Sequence, residues 1–171
     1  MGKKLTLVEF VQTYKDAAQN CSKKYGILPE CILTQAAHES GLGQFEFGNN
    51  FFGIKAGKNW TGKKQLLRTW EELPNQNYQF PEIISITPIV VNGITKYRYV
   101  IRDYFRAWDS AEEGFDGYCD FILQNKRYKK ALAVKENPEQ YLTEVARAGY
   151  GTDSKYQAKV LDLLKAVKKL I

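Results

Sequence analysis

Residues 31–55 read CILTQAAHESGLGQFEFGNNFFGIK, and the fold follows from how this stretch divides. Its first part is helical. Ile32, Leu33 and Ala36 recur at the spacing that lines one helix face, and Pro29 just upstream suits a first turn. Glu39 falls at i+7 from Ile32 and i+3 from Ala36, so its carboxyl continues the apolar stripe. Desolvation there favours the protonated form, and an acid still protonated near neutral pH is what general acid catalysis requires. Ser40-Gly41-Leu42-Gly43 then stops the helix and holds Glu39 at the edge of an opening. The plainer reading of an isolated Glu at this place is a helix-terminal carboxylate facing water.

Upstream, Leu5 to Tyr25 carries Val8, Phe10 or Val11, Ala17 or Ala18, and Cys21 at helical period, and Gly26 ends it. Ile27-Leu28-Pro29 turns the chain, so a helical hairpin delivers Glu39. Downstream, residues 43–58 are rich in Gly, Asn and Phe without a period, a loop composition. Phe45, Phe47, Phe51 and Phe52 in such a loop either pack inward or offer aromatic faces to a sugar. From Gln65 to Glu72 the pattern alternates, with Glu71 and Glu72 on opposite strand faces. Residues 73–81 form a polar loop. The β-branched and aromatic runs at 83–91 and 97–105 flank Asn92-Gly93, a hairpin signal. Helical patterns return at Ala111–Asn125, Lys126–Lys135, Pro138–Ala148 and Ser154–Leu170, with Asp109 or Ser110 and Asp153 as N-cap candidates. Helices around a small antiparallel sheet make an α+β domain.

The length of 171 residues suits one domain, 1–171, and the 44% apolar and 26% charged fractions are those of a globular protein. No run approaches the roughly 18 to 20 apolar residues of a membrane span, and MGKKLTLVEF shows no export signal. Either an export signal was removed, or the protein leaves its cell by another route, as phage lysis enzymes do. The formal charge of +6 suits a polyanion, either nucleic acid or the anionic polymers and peptide carboxylates of a bacterial wall. Its densest basic groups, Lys126–Lys130 and Lys165–Lys169, read as solvated helix faces. Cys21, Cys31 and Cys119 lack metal-ligand spacing and read as small buried residues, with a Cys21–Cys31 bridge as the alternative. His38 has no second His to complete a zinc-protease helix. Cys31 and His38 lie about 10 Å apart along a helix, too far for a cysteine-peptidase pair. No metal or cofactor is expected.

Two motifs at matching spacing, Ala37-His38-Glu39-Ser40-Gly41-Leu42-Gly43 and Asn49-Asn50-Phe51-Phe52-Gly53-Ile54-Lys55, resemble the catalytic segment of the bacterial cell-wall glucosaminidases, glycoside hydrolase family 73. Thr69-Trp70-Glu71 is similar to the family's Thr-any-Glu at the start of its β-lobe. Phe105-Arg106-Ala107-Trp108-Asp109-Ser110 resembles the scaffold return from that lobe, where Arg106 is expected to pair with a carboxylate. Tyr150-Gly151-Thr152-Asp153, followed by Tyr156, resembles the family's Tyr-Ala-Thr-Asp segment, with Gly151 a mild departure. Residues 73–100 exceed the expected lobe.

The resemblance implies a lysozyme-like fold, mainly helical, with a small antiparallel β-lobe at about 65–105 flanking the active-site cleft. It also implies an endo-β-N-acetylglucosaminidase that cuts the GlcNAc to MurNAc bond of peptidoglycan. Glu39 is then the general acid, Glu71 in preference to Glu72 the second carboxylate, and Tyr150 a catalytic side chain lining the sugar site. Asn50, Phe51, Phe52, Gly53, Lys55 and Tyr156 are expected to bind substrate. The partner is the peptidoglycan glycan strand, and the protein is expected to be a monomer acting on the bacterial wall, secreted or released by phage lysis. Rival readings are an N-acetylmuramidase or lytic transglycosylase on the same polymer, a non-catalytic wall-binding module, and a basic nucleic-acid binder, for which no recognised motif is present.

Overall fold

The structure is a computed structural model that describes residues 3–151 and 155–171. The chain divides into two compact units, Met1–Gly53 with Trp108–Ile171, and Ile54–Ala107.

The first unit is helical. Its described residues form α1 (Leu7–Tyr25), α2 (Pro29–Glu39), α3 (Ala111–Gln124), a 3-10 turn at Lys126–Tyr128, α4 (Lys129–Ala133), α5 (Pro138–Arg147) and α6 (Tyr156–Val167). A reciprocal cap starts α1: the Thr6 hydroxyl accepts from the Glu9 N–H, and the Glu9 carboxylate accepts from the Thr6 N–H at 2.8 Å. Gly26, at φ 69°, ends it. Every residue of α2 from Cys31 to Ala37 is buried. A helix without a polar side must be packed on all faces, and α1, α5 and α6 surround this one. Glu39 is therefore carried on the unit's central element. Ser110 caps α3 by accepting from the Glu113 N–H. The single helix expected over 126–135 is instead a 3-10 turn followed by α4, because Asn125 is extended at ψ 110° and its side chain caps the turn by accepting from the Arg127 N–H. The expected N-cap Asp153, with its neighbours Thr152 and Ser154, lies outside the described residues.

Two glycines of α3 allow a close approach. A Cβ at Gly114 would overlap the Asn49 carbonyl, and one at Gly117 would overlap the Trp108 indole. The loop 49–53 is drawn onto α3 by this contact, and the Asn49 side chain donates to the Trp108 carbonyl at 2.9 Å. Cys21, Cys31 and Cys119 are buried and unbridged.

The second unit is an antiparallel sheet of β1 (Lys64–Leu73), β2 (Glu82–Val91) and β3 (Ile94–Arg106) in the order β1-β3-β2. Asn92 and Gly93 have φ of 53° and 76°, the doubly left-handed turn whose twist matches a tight hairpin. Because Val91 pairs with Ile94 across this turn, β3 begins at Ile94, three residues before the alternating run suggests. The long β2–β3 hairpin accounts for the extra length at 73–100. Beyond the end of β2, residues 54–56 pair with β3: Ala56 N–H donates to the Tyr104 carbonyl at 2.8 Å and Arg106 N–H to the Ile54 carbonyl at 2.9 Å. This pairing fixes Lys55 against the sheet. Among the described residues, no helix is long and apolar enough to cross a membrane.

Candidate active site

Glu39 is the last residue of α2, and the chain turns sharply after it. The Ser40 hydroxyl donates to the Ala36 carbonyl at 2.6 Å and accepts from the Gly43 N–H at 2.9 Å, while Gly41 takes φ 56°. This turn leaves the Glu39 carboxyl at the end of a buried helix. Its Oε1 accepts from the Tyr156 hydroxyl at 2.6 Å, and that hydroxyl accepts from Gln35 Nε2 at 2.8 Å. A phenol has one hydrogen. With that hydrogen given to Oε1, the proton of a neutral Glu39 belongs on Oε2.

Burial pushes the Glu39 carboxyl up from 4.5 to about 7, against the opposing pull of the Tyr156 hydrogen bond. Burial, then the charge of Glu39, holds the Tyr156 hydroxyl far above its ordinary value, so it stays a donor. Tyr156 is held on two sides. The His38 ring meets it edge-on at 5.1 Å, and a Cβ at Gly151 would overlap its ring. Glycine at 151, a mild departure in the motif, is thus a steric requirement of this Tyr156 position.

The other predicted residues fall in three environments. Tyr150 directs its hydroxyl to the Phe52 carbonyl at 2.9 Å, and its ring packs among Tyr118, Phe121 and Tyr128. Its hydroxyl is raised by burial first and by the charge of Glu39 second, so it lies within electrostatic reach of the acid. Phe51 and Phe52 are 2% exposed, which corrects the expectation that they offer faces to a sugar. Phe51 lies edge-on to Tyr14 at 4.8 Å and to Phe115 at 5.4 Å, and Phe52 stacks on Tyr118 at 4.1 Å. Their rings belong to the core, and Phe52 reaches the site through its carbonyl. Asn50 is buried, with its N–H donating to the Phe47 carbonyl at 3.2 Å, and Gly53 takes φ 62°. Gln35 and Tyr128 belong to the site although the motifs do not mark them. Gln35 stands one turn before Glu39 and, with Thr34, is a polar residue in the buried stretch Cys31–Ala37, which is the signal that marks it. Tyr128 accepts a hydrogen bond from Arg127, and burial, with the charge of Glu39 among the smaller causes, raises its hydroxyl.

In the second unit Glu71 and Glu72 point to opposite sheet faces. Lys55 Nζ lies 2.6 Å from Glu71 Oε1 and 2.9 Å from Asp103 Oδ2, whereas Glu72 accepts from Arg98 at 2.6 Å. Burial works against the Lys55 ammonium, but its two carboxylate partners outweigh that and raise its pKa. Arg106 lies over the Trp60 ring at 4.2 Å. Among the described residues, no group of three His, Cys, Asp or Glu side chains is placed to hold a metal ion. A hollow of about 830 Å³ between α4 and α5, lined by Arg127, Lys130 and Arg147 among others, does not include Glu39.

Residues 15–169 match the glucosaminidase family model, described as mannosyl-glycoprotein endo-β-N-acetylglucosaminidase. The peptidoglycan hydrolase FlgJ of Vibrio parahaemolyticus is 30% identical over 167 residues, covering 94% of this chain and 47% of that protein. FlgJ of Vibrio cholerae is 32% identical over 158 residues, covering 89% and 41%. The chain thus spans under half the length of these curated relatives. A peptidoglycan hydrolase mutant from Sphingomonas sp. A1 superposes with a TM-score of 0.71 at 28% identity, covering 95% of this chain and 97% of that one. The C-terminally truncated glycoside hydrolase domain of Salmonella typhimurium FlgJ does so at 0.68 and 26% identity, covering 97% and 100%. The fold is accordingly lysozyme-like α+β, and the chain belongs to the glucosaminidase family of glycoside hydrolases.

Proposed function

We propose that this chain hydrolyses the glycan strands of peptidoglycan at the bacterial wall, as an endo-β-N-acetylglucosaminidase cutting the GlcNAc to MurNAc bond, with Glu39 as general acid. One observation carries the reading: a largely buried carboxyl, raised to about 7, whose Oε1 accepts from the Tyr156 hydroxyl at 2.6 Å. Hydrolysis of a β-linked aminosugar runs through an oxocarbenium-like transition state, so the leaving oxygen needs a proton as the bond breaks. Glu39 Oε2 supplies it, and the Tyr156 hydrogen bond to Oε1 stabilises the carboxylate that remains. Tyr150, in our reading, orders the sugar site through its bond to the Phe52 carbonyl, and Asn50, Gly53 and Lys55 shape the loop that meets the substrate.

Glu71 is the proposed second carboxylate, with its Oε1 2.6 Å from Lys55 Nζ, and it would serve as a base or as a stabilising charge. The same ion pair favours a second reading. If Lys55 holds Glu71 away from the anomeric carbon, a one-carboxyl transglycosylase or a substrate-assisted route follows. Turbidity of purified walls tests the primary assignment. Glu39→Gln keeps size and hydrogen bonding but cannot donate a carboxyl proton, so lysis should fall by at least ~10²-fold in a folded protein. Lysis near the wild-type rate removes Glu39 from the role, and no lysis by the wild type returns the chain to the wall-binding reading.

A further inference from the structure

We propose that the Trp70 face of the β1–β3 sheet is a second binding surface for an anionic glycan, a stretch of peptidoglycan strand other than the one being cut. The inference rests on the function proposed above and extends it to the sheet face opposite the one that carries Glu71. Exposure alternates along β1, so the even-numbered residues face solvent while Glu71 and its odd-numbered neighbours face the other way. On β3 the register continues this face with Arg98, Val100 and Arg102, and strand alternation adds Lys96, which pairs with Ile89 of β2.

Three features of the face point to one ligand chemistry. Trp70 is 59% exposed, and with Arg68, Thr69, Arg98 and Val100 it lines a concavity of about 590 Å³. The Arg98 guanidinium sits 5.4 Å from the Trp70 ring and is held there by Glu72, which accepts from its Nη2 at 2.6 Å and its Nε at 3.2 Å. An indole this exposed suits stacking against a pyranose ring. The register also sets Arg68 directly opposite Arg102, and Lys64 directly opposite Arg106. Like charges in cross-strand register destabilise a sheet. Glu72 and Glu82, the acids on this face, pair with Arg98 and Arg102, while Arg68 has no ion-pair partner among the described residues. An anionic group bridging Arg68 and Arg102 removes the repulsion, and the carboxylates of the stem peptides are spaced along a polymer that also presents sugar rings to Trp70.

Sedimentation with purified sacculi, stripped of polyol-phosphate polymers by acid, tests this in a Glu39→Gln background that prevents digestion. Arg68→Ser with Arg102→Ser, and separately Trp70→Ala, should each lower the bound fraction at least ~5-fold, and the arginine variant should also flatten the salt dependence. With Glu39 restored, turnover of a short soluble glycan fragment should stay within about twofold of wild type. Circular dichroism melts confirm that each variant folds; should the arginine pair fail to, Trp70→Ala decides. Unchanged sedimentation overturns the proposal. A defect seen only on walls that retain polyol-phosphate polymers overturns it too, and assigns the face to those polymers. Equal losses on sacculi and on the soluble fragment also overturn it. Failure of the wild-type enzyme to digest sacculi removes the catalytic reading, while the sedimentation result still reads the surface.

Discussion

Replacing Glu39 with Gln should abolish activity and, above neutral pH, stabilise the fold. A carboxyl raised from 4.5 to about 7 is bound to its proton more tightly in the folded chain than in the unfolded one. The sign follows from linkage: the folded state gains relative to the unfolded state below about 4.5, and this advantage is lost as pH rises through 7. At ~1.36 kcal/mol per pH unit, the full loss is ~3.4 kcal/mol, and residual solvent access at the end of α2 reduces it to about 2 to 3 kcal/mol. Gln keeps the acceptor for Tyr156 and has no proton to lose. Thermal melts of both proteins at pH 4 and pH 8 should show the variant gaining roughly 5 to 10 °C on the wild type at the higher pH compared with the lower. A difference between the two proteins that does not change with pH refutes the reasoning, because the carboxyl would then titrate alike in the folded and unfolded chains.

Activity should decline above about pH 7 as Glu39 loses its proton, and Tyr156→Phe, by removing a bond that lowers that pKa, should shift the alkaline limb of kcat/KM upward while lowering its plateau. An unshifted limb places Tyr156 outside the acid's control. Tyr150→Phe removes the bond to the Phe52 carbonyl, and Tyr150→Ala also removes the ring, so the first should cost several-fold in kcat/KM and the second should add a loss of stability; wild-type values for both make Tyr150 a packing residue alone. Gly114→Ala should destabilise the fold by about 1 to 3 kcal/mol, read by denaturant titration, despite the helix preference for Ala, because the new Cβ meets the Asn49 carbonyl. If Glu71 is a base activating water, the newly formed anomeric centre should be inverted by NMR and Glu71→Gln should be inactive. A retained centre with an active Glu71→Gln removes that role.

Much of the helical unit was legible because its signals are local. The Ile32, Ala36 and Glu39 stripe, the Ser-Gly break after it, and Ser110 before α3 each depend on a few adjacent residues. The Asn92-Gly93 turn was legible for the same reason. What the linear pattern hid depends on partners distant in sequence. The rings of Phe51 and Phe52 sit in a stretch without a period, and only Tyr14, Phe115 and Tyr118, brought from α1 and α3, bury them. The requirement for glycine at 151 comes from the Tyr156 ring that packs against it. The basic face of the sheet was equally hidden. Lys96, Arg98 and Arg102 alternate with apolar and acidic residues along β3, so the sequence reads as scattered charge until the strand sends them to one side.

The most direct test of the central claim is mass spectrometry of the fragments released from purified, borohydride-reduced peptidoglycan digests. The account predicts reduced N-acetylglucosamine at the new ends with the wild-type enzyme and none above background with Glu39→Gln. Reduced N-acetylmuramic acid or anhydro ends, or release that survives Glu39→Gln, would contradict it.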